Sequence, residues 1–158
     1  MYPTTLKNDE KYSEMSANFQ EKLEVTRTDW YTKIGDLIAM SRDFEKLADV
    51  QVLQLSYRHQ LIEYCYGSLS KAIIQVKSIY EKNKKTCLLE SKVNFDFKLN
   101  TEKERFVVID ADMRTVEEMI EIFEAQMNFV KESIKLLDNL GFSIKSRIEM
   151  YKIMGGDN

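Results

Sequence analysis

The chain is expected to be all-α, an elongated helical hairpin or bundle with a long coiled-coil-like C-terminal helix and one short extended segment near residues 92–99. Three observations predict this. Apolar residues from Phe106 onward recur in alternating steps of three and four, which keeps one seam on one side of a helix. The 158 residues include only five Gly and one Pro, so few turns interrupt the chain. Strict two-residue alternation is confined to Val93, Phe95, Phe97 and Leu99, the pattern of a strand with one apolar face.

The length suits a single helical domain, 1–158, with a modest core. Residues 1–16 are polar and are expected to form a loose arm or a frayed first helix. A first helix is expected over 19–48, with Phe19, Leu23, Trp30, Ile34, Leu37, Ile38, Phe44 and Leu47 on its apolar face. Gly35 costs it about 1 kcal/mol relative to Ala without breaking it. Trp30, the sole tryptophan, is expected to anchor the core or a subunit contact. The boundary with the next helix is placed at Asp49–Val50–Gln51. A second helix is expected over 52–85, with Leu55, Ile62, Cys65, Leu69, Ile73, Val76 and Tyr80 as its seam.

Thr101–Glu102–Lys103–Glu104 fits a capping box and opens the long helix, 101–152. Its seam reads Phe106, Ile109, Met113, Val116, Ile120, Phe123, Met127, Val130, Ile134 and Leu137. It passes through Gly141, where a kink or short break is the most expected, and resumes at Ile144, Ile148 and Tyr151. Glu117, Glu118, Glu121, Glu124, Lys131 and Lys135 mark the solvated side. Such a seam needs cover from the rest of the chain, from another chain, or from both. Ile120, Phe123, Met127, Val130, Ile134, Leu137, Phe142, Ile144 and Ile148 are the candidate oligomerisation residues.

The formal net charge of −3 offers no global case for nucleic acid, but its distribution matters more. Residues 1–50 hold seven Lys/Arg against ten Asp/Glu, and residues 101–158 eight against twelve. Residues 51–100 hold eight against four, concentrated between Lys71 and Lys98. A solvated basic face is the plain reading of that block, and a local anion site the sharper one. Lysines interleaved with an aromatic ring are the usual means of holding a single strand, by phosphate contact and base stacking. Lys71, Lys77, Tyr80, Lys82, Lys84, Lys85 and Lys92 form such a set.

No catalytic constellation is present, and an enzyme is not expected. His59 is the only histidine, which excludes His-rich metal sites. Neither a phosphate-binding loop nor a dinucleotide-binding glycine motif occurs. Asp110 and Asp112 could hold Mg²⁺, but carboxylates near a helix start more often favour its positive end. The long helix's glutamates lack the paired histidines of di-iron bundles. Cys65 and Cys87 have no metal-ligand spacing and read as small core residues in a reducing compartment. No cofactor or metal is expected. Met1–Tyr2–Pro3–Thr4 begins no signal peptide and no apolar run is long enough to span a bilayer, so a cytoplasmic, non-membrane protein is expected.

The C-terminal third carries Ala111–Asp112 and then Gly141–Phe142–Ser143–Ile144–Lys145–Ser146–Arg147–Ile148–Glu149, followed by Met150–Tyr151–Lys152–Ile153–Met154–Gly155. This resembles the recombination mediators of T-even and related phages, the UvsY family, whose tail has the form G-F-x-I-K-x-x-I before a terminal Gly. The resemblance covers roughly 105–156. It implies a non-enzymatic protein of the host cytoplasm that binds single-stranded DNA and forms ring-shaped homo-oligomers. It further implies partnership with a recombinase and a single-strand-binding protein. The family's DNA-binding element, K-x-R-x-x-Y-Y-x-G, corresponds here to Lys77–Ser78–Ile79–Tyr80–Glu81–Lys82–Asn83–Lys84–Lys85, which keeps the positive charge and one tyrosine. Two other readings stand beside it: a phage structural or assembly protein whose seam makes subunit contacts, and a small helical inhibitor or adaptor of a host protein.

Overall fold

The computed structural model describes residues 3–94 and 114–155. Among them the chain is helical apart from short turns: α1 (Pro3–Met40), a 3₁₀ turn (Phe44–Lys46), α2 (Leu47–Glu63), a π-helical segment (Tyr64–Leu69), α3 (Ser70–Asn94) and α4 (Arg114–Ile153). The all-α class and the long C-terminal helix agree with the sequence reading. The expected Thr101 cap, the seam residues Phe106, Ile109 and Met113, and extended residues 95–99 lie outside the described residues. Residues 92–94 are helical and not extended, because α3 continues well beyond position 85.

At the start of the chain, where a loose arm or a frayed first helix is expected over residues 1–16, α1 begins at Pro3. Proline suits a first helical position, since its missing N–H would be unpaired there anyway. No glycine follows before Gly35.

The break between the first two helices falls at Ser41–Arg42–Asp43, ahead of the expected 49–51. It needs neither Gly nor Pro because the end of α1 satisfies its own carbonyls, which a helix terminus otherwise leaves unpaired. The amides of Ser41, Arg42 and Asp43 donate to the carbonyls of Leu37, Ala39 and Met40 at 3.0, 3.2 and 3.2 Å. Ser41 Oγ donates to the Ile38 carbonyl at 2.6 Å. Arg147 of α4 donates to the Ser41 carbonyl, with its guanidinium 5.2 Å from the centre of the Phe44 ring. Asp43 then caps the 3₁₀ turn, its carboxylate accepting from the Glu45 amide at 3.1 Å.

Contacts gather the chain into two compact units, where length alone suggests one domain: Met1–Leu23 with Ser70–Ala125, and Glu24–Leu69 with Gln126–Asn158. In the first unit Leu23, Val76, Val116, Met119 and Phe123 are buried, and the Phe19 and Phe123 rings meet at 5.3 Å. In the second unit the buried residues include Trp30, Ile34, Leu37, Leu47, Val50, Leu61, Cys65, Leu69, Val130, Leu137 and Ile144. Trp30 meets Tyr57 edge-on at 5.7 Å and so anchors this core.

α4 buries every second member of the seam that its apolar spacing suggests, together with residues on one side of it. The buried line is Val116, Met119, Phe123, Gln126, Val130, Ser133, Leu137, Gly141 and Ile144, while Ile120, Met127, Ile134 and Ile148 are half-buried. The reason is that α4 has neighbours on two flanks. In the second unit Gln126 and Phe129 meet α1, whereas Met127 meets Cys65 of the π segment and Leu137 meets Gln54 of α2. The deepest line therefore runs between two helices, and the apolar face is wider than one seam. Of the oligomerisation candidates, Phe123, Val130, Leu137 and Ile144 are buried in the core of the chain itself. Phe142 alone of that set is openly exposed, at 70%.

α4 passes through Gly141 as one helix. The glycine is there for space. Gln54 is buried and its Nε2 donates to the Leu137 carbonyl at 3.0 Å. A Cβ at position 141 would lie 2.9 Å from that nitrogen. Gly141→Ala would gain helix propensity, roughly 1 kcal/mol, but must displace a buried, hydrogen-bonded amide. A net loss of about 1–2 kcal/mol is expected in urea unfolding, smaller in a Gln54→Ala background; an alanine variant as stable as the parent would show that Gln54 moves aside freely. The same assay should register about 2–5 kcal/mol for Leu137→Ala and no more than about 0.5 kcal/mol for Phe142→Ala.

Candidate nucleic-acid interface

All seven members of the basic set lie on α3, but the helix sorts them by direction. At about 100° per residue, Lys71, Lys82 and Lys85 fall within a sector of roughly 60°. All three are exposed, as are Ile74 and Ser78 beside them, while Val76 on the other side is buried. Lys71 and Lys82 stand about 16 Å apart along the axis, and Lys85 is one turn further on. Lys92 falls in the last turn of α3.

Lys77, Tyr80 and Lys84 instead occupy the flank facing α4. Lys77 Nζ pairs with Glu124 at 3.2 Å. Tyr80 donates its hydroxyl proton to Glu117 at 2.9 Å, and Lys84 Nζ sits 5.5 Å from the centre of the Tyr80 ring. The ring is therefore engaged on its edge by a carboxylate and over its face by an ammonium. Burial, and then the bond to the Glu117 carboxylate, push the Tyr80 phenol above its ordinary value, against a smaller opposing effect from Lys84.

Sequence reasoning placed Glu117 and Glu124 on the wet side of α4 and missed their contact with α3. A signal was present in the spacing. Lys77 and Lys84 are seven residues apart, as are Glu117 and Glu124. A seven-residue repeat of opposite charge on two adjacent helices is the pattern by which flanking positions of helical pairs meet.

In the second unit a separate polar cluster lies in the core. The Gln126 side-chain oxygen accepts from Arg27 Nε at 3.3 Å and Nη2 at 3.0 Å. Gln126 also hydrogen-bonds Tyr64, whose phenol burial raises in pKa against the opposing pull of that bond. Arg58 and Asp138 pair at 2.5 Å on the rim of a shallow cavity of about 420 Å³ floored by Gly141. A larger groove, about 740 Å³, lies between Phe44, Leu47 and the end of α4. Ile153 and Met154 beside it are exposed by 86% and 79%.

Among the described residues no group of three or more His, Cys, Asp or Glu side chains could hold a metal ion. Nor is any helix there long and apolar enough to cross a membrane. His59 is exposed and meets Glu63 at 3.1 Å. No family model, curated protein or solved structure matches the chain.

Because Tyr64 and Tyr80 are both raised, part of an alkaline absorbance titration should come later than for a phenol of ordinary pKa. The sign follows from linkage. A phenol whose folded pKa lies above the unfolded value near 10 favours folding below that value, and the contribution is lost as pH rises through the folded pKa. Tyr80→Phe should remove part of the late-titrating absorbance and leave the early part; loss from the early part instead would contradict the Glu117 contact.

Proposed function

We propose that the chain is a non-enzymatic accessory protein of DNA recombination that binds single-stranded DNA through the outer side of α3. It acts as a homo-oligomer and assists the loading of a recombinase onto DNA held by a single-strand-binding protein. The observation that carries the reading is the exposed line Lys71, Lys82 and Lys85, set on one side of a helix in a chain of net charge −3. A basic stripe isolated within an acidic protein concentrates polyanion attraction at one place. The tail Gly141–Phe142–Ser143–Ile144–Lys145, similar to that of the phage mediators, supports the recombination role. Phosphate contact dominates over base stacking in this arrangement, because Tyr80 is already held by Glu117.

A second reading, an assembly protein or an adaptor of a host protein, is favoured by the exposed apolar side chains Phe142, Met150 and Ile153 of α4 and Met154 just after it. These residues also offer the subunit contacts of a homo-oligomer, so they do not by themselves separate the two readings. DNA affinity does.

Fluorescence anisotropy with a labelled oligonucleotide at about 50 and 200 mM salt supplies the test. Binding should weaken steeply with salt. Lys71→Ala/Lys82→Ala/Lys85→Ala should reduce affinity at least about tenfold at the lower salt and flatten the log–log salt slope by about 2, since each single-strand phosphate contact contributes roughly 0.7. Absence of binding at low salt, or an unchanged slope in the triple variant, would overturn the reading. Sedimentation of the protein alone should show a species larger than one chain.

A further inference from the structure

We infer that Glu117 and Glu124 form an acidic latch that occupies the flank of α3 in place of nucleic-acid phosphate, holding Lys77, Tyr80 and Lys84 out of the binding face until DNA displaces them. The inference rests on the DNA-binding reading and concerns the regulation of that same site. Its basis is a division within one helix. Lys71, Lys82 and Lys85 face outward, while the neighbouring Lys77 and Tyr80 each meet a carboxylate of α4, at 3.2 and 2.9 Å. Lys84 lies over the ring that Glu117 holds.

A carboxylate and a phosphate oxygen are alike as charge-assisted acceptors for an ammonium or a phenol. The two therefore compete for the same donors. The Lys77–Glu124 pair is about half exposed on both sides, so it is weak and open to exchange, as solvent-screened pairs are. Glu121, exposed on the same stretch of α4, adds negative charge nearby without a contact to these three side chains. With the carboxylates charged, the flank is close to neutral and repels no strand strongly but attracts none. Once they are removed or displaced, Lys77 joins the outer three.

The test compares the parent with Glu117→Gln/Glu124→Gln and with Glu121→Gln, by anisotropy on a labelled oligothymidylate across a salt series. The double variant should bind at least about fivefold more tightly at low salt, and its log–log slope should steepen by about 0.7, the contribution of one additional phosphate contact. Glu121→Gln removes a charge from the same helix and should change affinity less than about twofold, leaving the slope unaltered. The gain should vanish in a Lys77→Ala/Lys84→Ala background. If the parent binds and the double variant has the slope of Glu121→Gln, the latch falls while DNA binding stands. If neither parent nor double variant binds at low salt, both fall. A parent that does not bind at low salt removes the reading on which the latch rests, whatever the double variant does.

Discussion

A buried amide must find its hydrogen bonds inside the protein, and Gln126 imposes that requirement at the middle of α4. It is fully buried, and its partners come from two other elements: Arg27 of α1 and Tyr64 of the π segment. Leaving such a group unpaired costs on the order of 1–3 kcal/mol, so sliding either element along α4 carries that cost at once. Apolar side chains are less exacting, because one methyl group replaces another with modest loss. Gln54 repeats the device on α2, reaching the Leu137 carbonyl beside the one position where α4 has no Cβ to obstruct it. Among the described residues no buried side-chain nitrogen or oxygen lacks a partner. Register in the second unit is thus set by polar groups and filled in by apolar ones.

The turn after α1 follows the same logic at a helix end. Ser41 closes one carbonyl with its hydroxyl, and Arg147 reaches back from α4 to the next exposed one. Phe44 is held between Arg147 and Tyr151, at 5.2 Å from each. An ordinary Ser–Arg–Asp sequence becomes a chain reversal because a distant arginine completes it.

The candidate interface depends on electrostatics of the opposite kind, weak and solvent-exposed. Surface pairs such as Lys77–Glu124 contribute little to stability. Their effect is on which charges remain available to a ligand. α3 carries both a paired flank and an exposed side, and a ligand made of closely spaced phosphates meets the exposed side first. The acidic surplus of α4 and the basic surplus of α3 are therefore one feature of the molecule.

Helix content and the length of α4 were legible in the sequence, because three-and-four spacing, scarce glycine and scarce proline act locally. The candidate lysines were legible as a block, since charge excess can be counted. That Lys77, Tyr80 and Lys84 form the paired flank, and Lys71, Lys82 and Lys85 the exposed side, was not, because it depends on where α4 lies. The same limit explains the seam: Ile120, Met127 and Ile134 are the more apolar residues, yet Met119, Gln126 and Ser133 are the buried ones. Hydrophobic spacing states that a helix has a face to cover. Which line on that face becomes deepest is decided by two neighbouring helices and by the polar groups that must be paired between them, and those are properties of the tertiary structure alone.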